Sequence, residues 1–459
     1  MPATIMPAIQ IFAGAQAWWP VALAALVTVP MAAALLGVGA RCLRMARQAR
    51  GRRAPDADLR SVFDPETGAR GAQPGPRTLL WVALAVAGSR ALLYLWAWLM
   101  HCLHAGAWSL PWESFGSLWI QWDAPHYLKL AEQWYTAPGA AGPSDHLMLV
   151  FFPLFPLLLR CLRALFGGDG LAAATMLNLV CSMGAGCLLF RVTARHYGRR
   201  KAWLALAYLL VNPFSLFLGA PYPEALFLLL TLAAIDAANQ KKYLWAGLWG
   251  ALSASTRMLG LVVAGVILLE GAQHGPAGEG RKAGGRSGRW RQLWPMKAIG
   301  GAAVVGLGFA AYLLLNVQIS GAPFTFLTYQ RENWSQQFGS FWQSAYITGL
   351  YMARDFPSDS FWGTWLPQAV AMVAVPAMLA ARQSRLPLPW AAYAWAYLFV
   401  ALAPTWLLSG PRYLMVLAVL PVLQCRLTDR RWFHAVSLPL QAALLLAYTY
   451  LYAVERCVL

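Results

Sequence analysis

Charge is what this chain has least of. Only 12% of its 459 residues are Asp, Glu, Lys or Arg, with 18 acids against 36 bases, whereas 59% are hydrophobic. A soluble globule of this length needs a polar exterior, so the scarcity excludes one. Patterned cysteine is also missing. The seven cysteines form no CxxC or Cys/His spacing, and Cys161, Cys181 and Cys187 sit in apolar segments, where a thiol packs as a small core residue. No metal site is legible, no cofactor is assigned, and a requirement for a divalent cation is left open. No internal repeat appears, so the doubled halves of many transporters have no counterpart. The first apolar run has no basic stretch ahead of it, and "AGAQA" before Trp18 resembles a cleavage site only superficially. Residues 18–40 are therefore expected to be a true span and not a signal peptide.

What the chain does have is apolar length. Runs of about 20 apolar residues recur from end to end, enough to cross roughly 30 Å of hydrocarbon, and mean hydropathy is +0.49. The net charge of +18 is gathered in short loops between those runs. That is the pattern of topology signals facing anionic lipid on the cytoplasmic side, and it speaks against nucleic acid as a partner. The basic clusters are 41–77, 191–201, 239–243, 280–297, 381–385 and 425–432, all expected on one side. Abundant Ala, Arg, Trp and Pro suit a bacterium of high genomic GC, and hence its inner membrane.

This constraint allows one crossing between 104 and 190. "LVFFPLFPLLLRCLRALFGG" is expected to lie in the outer interface as an amphipathic helix, with Arg160 and Arg163 on one face. The apolar stretch 244–272 has both flanks inside, so it must go out and return, with Arg257 at the outward tip. An arginine there is costly and normally functional. The expected spans are 18–40, 78–103, 171–190, 202–219, 222–238, 244–256, 258–272, 297–320, 361–380, 388–408, 412–424 and 433–454, with both termini outside. The sequence thus predicts an all-α polytopic membrane protein of about twelve spans. Residues 1–77 form an N-terminal helix with an Arg-rich loop, and 78–459 form the main transmembrane body.

The outer face then collects chemistry from separated segments: Trp122, Asp123 and His126, then Asp145 and His146. Tyr222 and Glu224 of "GAPYPE" follow, then Arg257, Tyr329 and Gln330, and finally Arg412 and Tyr413 of "SGPRY". Each has a plain alternative. Asp123 is a good N-cap with Pro125 in the first turn, and Asp145 and Glu224 are further caps. Pro221 and Pro223 form turns. Arg257 and Arg412 can snorkel to headgroups. "NWS" at 333–335 is a sequon only in a secretory compartment. Their convergence on one side favours a site.

In order and spacing, "WDAPHYLKLAEQWY", "DHLMLVFFPLFPLLLR", "NPFSLFLGAPYPEALFLLL", "GALSASTRMLGLV" and "SGPRYLMVLAVLPV" resemble the GPI mannosyltransferase II family and its bacterial relatives, GT-C-type glycosyltransferases. The resemblance runs from about Trp119 to Leu423, and the first span with its Arg-rich loop is less typical. It implies a GT-C-like fold and an enzyme that takes a sugar, mannose in the family, from a polyprenyl-phosphate carrier. The sugar would go to a membrane lipid, glycan or protein acceptor on the non-cytoplasmic side. A bacterium makes no GPI, so that acceptor does not carry over. The aspartate of the family's WD motif falls on Asp123, the acid and histidine before FFPL on Asp145 and His146, and the basic residues of two later motifs on Arg257 and Arg412. Asp145 stands where many relatives have Glu.

The residue types suit that chemistry. A carboxylate, Asp123, takes the proton of an attacking sugar hydroxyl. Direct displacement through an oxocarbenium-like transition state inverts the anomeric centre. Arg257 and Arg412 hold the departing lipid phosphate. Trp122, His126, Asp145, His146, Tyr222, Glu224, Tyr329, Gln330 and Tyr413 bind or orient sugar and acceptor. The rival readings are a transporter or flippase of lipid-linked sugar, and a ligase using a diphosphate-linked glycan. A transporter needs no base on the first outer loop, and its polar residues line a path to both faces.

Overall fold

The structure, a computed structural model, describes residues 18–50, 73–135, 148–273, 296–382 and 385–455. Among these, helices dominate, and the one β-type contact is a bridge between Phe338 and Pro404. Among the described residues six helices are long and apolar enough to cross a membrane: Pro20–Arg41, Pro76–Ala105, Gly170–Leu210, Met296–Ser320, Phe361–Arg382 and Arg431–Ala453. Shorter apolar helices lie among them, so the chain is a multi-pass membrane protein built of helices.

The helices are α1 (Trp18–Arg50), α2 (Pro76–Ala105), α3 (Phe115–Trp119), α4 (Ala124–Gln133), α5 (Leu154–Arg163) and α6 (Gly170–Leu210). Then come α7 (Glu224–Asn239), α8 (Tyr243–Thr256), α9 (Val263–Gln273), α10 (Met296–Ser320), α11 (Thr325–Trp334) and α12 (Phe341–Asp355). Last are α13 (Leu366–Arg382), α14 (Leu388–Ala401), α15 (Gly410–Met415), α16 (Leu420–Arg426) and α17 (Arg431–Ala453).

Four expected boundaries move, each for a local reason. The basic stretch 191–201 is helical on both sides of Gly198, whose φ +81° and ψ 167° break α6 so that the chain doubles back, with the Phe190 and Trp203 rings 5.0 Å apart. The expected 171–190 and 202–219 are thus two helices that reach further into the basic stretch. The second of those spans stops at Leu210. Pro213 cannot continue a helix, and the Asn212 side chain accepts from Phe214 N in a turn. The expected 388–408 ends at Ala401, ahead of Pro404. The expected 412–424 is two short helices, α15 and α16.

Tight packing comes from small residues. A Cβ on Gly247 or Gly308 would run into the backbone of Gly301 or Ala251, so α8 and α10 approach until only hydrogen atoms fit between them. Ser255 Oγ donates to Gly308 O at 3.0 Å across the same seam. Helix α1 packs on α12, α13 and α14 through Ala24, Val27 and Met31, which join the main core. Helix α5 buries Phe155 and Leu159 while Arg160 donates to Glu132 O at 3.1 Å, so the amphipathic segment is fastened to α4.

Described residues from four of the basic clusters meet at one end of the bundle. Arg191 and Arg195 pair with Asp236, Lys201 pairs with Asp429 at 2.6 Å, and Arg382 donates to Leu427 O at 2.7 Å. Arg41 reaches Leu386 O at 3.3 Å, and the Arg426 guanidinium lies 4.7 Å from the Tyr197 ring centre. Helix α7 gives the axis: Asp236 is at this end and Glu224 at the other, about 18 Å away at 1.5 Å per residue. Between them its one polar side chain is Thr231, bonded to Ser253 at 2.9 Å.

Candidate active site

At the Glu224 end, four charged side chains from distant segments form one chain of ion pairs. Arg412 Nη2 donates to Asp123 Oδ2 at 2.8 Å, and Arg412 Nε lies 3.3 Å from Glu224 Oε1. Arg257 Nη2 donates to the same Glu224 oxygen. The order is Asp123, Arg412, Glu224, Arg257: two carboxylates, two guanidiniums, no net charge.

Asp123 owes its direction to a strained turn. Trp122, which precedes it, has φ +54°, a left-handed conformation that a bulky side chain rarely takes. The Tyr222 hydroxyl bridges this turn, donating to Gln121 O at 2.7 Å and accepting from Asp123 N at 3.3 Å. Asp123 stands at the N-cap position of α4, but with φ −80° and ψ −15° its side chain makes no capping bond. The carboxylate turns to Arg412 instead, so the plain capping role is not the one it performs.

Glu224 opens α7 directly after the 219–223 turn and is fully buried. Arg257 ends α8 with extended backbone, φ −157° and ψ 143°, where the expected hairpin turns back through a short 3₁₀ segment, Met258–Val262. Its guanidinium is 4.9 Å from the Tyr413 ring centre. Arg412 lies over Tyr222 at 5.0 Å, and over Phe217 and Tyr413 at 5.4 Å each. These ring faces stabilise two cations withdrawn from water. Tyr413 is fixed in turn by the Tyr397 hydroxyl, which donates to its carbonyl at 2.6 Å.

His126 lies on the rim, its ring 5.2 Å from that of Phe151. Burial holds its imidazole below the ordinary histidine value; Asp123 pulls the other way, and Lys129 lowers it further. Phe151 also meets Trp334 of α11 at 6.3 Å, which brings α11 to the same border. Nearby Gln330 donates to Gln336 at 2.7 Å, and Tyr329 packs against the core. Neither of these residues is part of the ion-pair chain. Asp145 and His146 lie outside the described residues. Among the described residues no three His, Cys, Asp or Glu side chains are grouped to hold a metal ion.

Sequence reasoning passed over Phe217 and Gln121, and assigned Tyr127 no role at the site. Tyr127 is buried against Phe151, Phe155 and Tyr222 at 5.0, 5.3 and 6.3 Å, forming the wall behind the charges. For Phe217 the signal was there in "NPFSLFLGAPYPE", whose aromatics are set among three helix-breaking prolines. Asp236 was missed as well, although a lone acid near the end of an apolar helix is a sign of pairing.

Residues 107–274 match the family described as Mannosyltransferase (PIG-V). The resemblance read from the motifs is therefore borne out for that part of the chain, which holds Asp123, Glu224 and Arg257 but not Arg412. Mouse GPI alpha-1,6-mannosyltransferase 2 is 34% identical over 164 residues, and the human protein of the same name 32% over 163. Each alignment covers 32% of this chain and 30% of the relative, so only about a third of either protein is compared. Among solved structures, ArnT from Cupriavidus metallidurans bound to undecaprenyl phosphate is similar with a TM-score of 0.44 at 14% identity. It covers 83% of this chain and 75% of that one. The archaeal oligosaccharyltransferase AglB from Archaeoglobus fulgidus, in complex with an inhibitory peptide and a dolichol-phosphate, has a TM-score of 0.38 at 13% identity, covering 79% and 55%.

Proposed function

We propose that this chain transfers a sugar, mannose by the family's pattern, from a polyprenyl-phosphate carrier to a membrane-borne acceptor on the non-cytoplasmic face of a bacterial inner membrane. The observation that carries this reading is the convergence of Asp123, Arg412, Glu224 and Arg257, 289 residues apart at the extremes, at the end of the bundle away from the basic loops.

In the proposed reaction the acceptor hydroxyl oxygen attacks the anomeric carbon while the bond from that carbon to the phosphate oxygen breaks. Asp123 receives the hydroxyl proton, and the configuration inverts because one displacement occurs. Negative charge accumulates on the leaving phosphate, where Arg412 and Arg257 stand ready as fixed cations. Tyr222 and the Trp122 turn keep the carboxylate aimed. His126, on the rim beside Phe151, offers a hydrogen bond to a sugar hydroxyl. The pairing of Thr231 with Ser253 leaves no unpaired polar side chain on α7 between its two charged ends, which favours an enzyme over a transporter.

Purified protein given radiolabelled polyprenyl-phosphate mannose and membrane acceptors is expected to transfer label. Asp123→Asn keeps the side chain's shape and removes its proton affinity. It is expected to lower the rate by at least about 100-fold, the scale of a lost general base, while the protein still folds. Undiminished transfer by this variant would remove the base assignment.

A further inference from the structure

The partners of Arg412 differ in a way that bears on how the site fills. Glu224 is 0% exposed and is held by both arginines, while the Asp123 side chain is 29% exposed and touches Arg412 alone among the cations. Arg412 itself is only 4% exposed, and Asp123 is the more exposed of its two carboxylate partners.

We propose that Asp123 is a tethered stand-in for the donor's phosphate: in the empty site it occupies the place on Arg412 that the lipid phosphate takes, and the arriving phosphate displaces it. The inference rests on the lipid-phosphate reading of the site and adds an order to it, donor before acceptor.

The physical reason is charge balance. With two carboxylates and two guanidiniums the empty site is neutral. A phosphodiester entering beside an undisturbed Asp123 would place a third anion against two cations in a dehydrated setting, which is strongly unfavourable. Carboxylate and phosphate present the same kind of oxygen edge to a guanidinium, so one can substitute for the other. Glu224 cannot be the one to leave, since it is enclosed and doubly paired. Asp123 can, because its outer side is open. Once off Arg412 it is no longer neutralised by a cation and is a better proton acceptor. The hydrolytic risk is reduced too, since the base is occupied until a donor is in place.

The test measures binding and not transfer. The full-length protein in detergent is titrated with undecaprenyl monophosphate, following intrinsic tryptophan fluorescence, with inorganic phosphate in a parallel arm. Removing the internal competitor should tighten lipid-phosphate binding in D123N by about tenfold, about 1.4 kcal/mol. D123A should do the same, and it serves as the comparison should D123N fold poorly. Inorganic phosphate at equal concentration should produce no such response. Equal or weaker binding in both variants, with wild-type binding intact, would overturn the stand-in role and leave the proposed transfer reaction standing. An equal response to inorganic phosphate would overturn the assignment of the place to a lipid-borne phosphate. Absence of binding in wild type and variants alike would overturn the lipid-phosphate reading, and this inference with it.

Discussion

Glu224 shows how much one carboxylate can hold. Its Oε1 serves Arg257 and Arg412 together, and among the described residues its Oε2 has no hydrogen-bond partner. Deleting the acid would leave two enclosed guanidiniums facing each other. Glu224→Ala is therefore expected to destabilise the protein by about 3–5 kcal/mol, the cost of stranding a buried charge. A thermal-unfolding series in detergent, with Glu224→Gln as the isosteric comparison, measures it, and a cost below about 1 kcal/mol would show that the guanidiniums find other partners. At this scale the sequence indicated which residue types gather but not who pairs with whom. Asp123 followed by Ala-Pro reads as a helix cap, and only the left-handed Trp122 redirects it to Arg412. Nothing in "QWDAP" announces that φ, because the bridging hydroxyl that supports it comes from Tyr222, about a hundred positions away.

Among the elements, local sequence was most informative where glycine and proline act. Gly247 and Gly301 sit where α8 and α10 touch, whereas a Cβ on Gly265 in α9 would meet open space. Gly247→Ala or Gly301→Ala is expected to cost about 1–3 kcal/mol through overpacking against backbone that cannot yield, while Gly265→Ala should be neutral or slightly stabilising. Comparing melting temperatures of the three variants checks this, and equal behaviour would mean the seam is looser than described. The breaks at Pro213 and Pro404 follow from the missing N–H and the ring's clash with the preceding turn, yet they were read as span interiors because hydropathy alone does not register them. The amphipathic character of 154–163 was legible from its period. Its attachment to α4 through Arg160 and Glu132 was not, since that contact crosses 28 positions.

The whole molecule has two charged ends joined by apolar helices. The proposed orientation puts Lys242 inside and Trp112 outside, and both are exposed. In intact cells, Trp112→Cys should be labelled by a membrane-impermeant maleimide above the level of the unsubstituted protein. Lys242→Cys should be labelled only after permeabilisation, and the reverse pattern would invert the topology and move the site to the cytoplasmic face.

The sequence by itself determined that this is a helical membrane protein, because hydrocarbon thickness and the cost of charge in lipid act on each segment independently of its neighbours. It also carried the motifs of a mannosyltransferase family over 107–274. The tertiary structure alone decided that Asp123, Glu224, Arg257 and Arg412 form one neutral chain, and that Asp236 gathers Arg191 and Arg195 at the opposite end. Such pairings depend on which helices lie side by side. That is a matter of surface fit between remote segments, and no periodicity within any one of them encodes it.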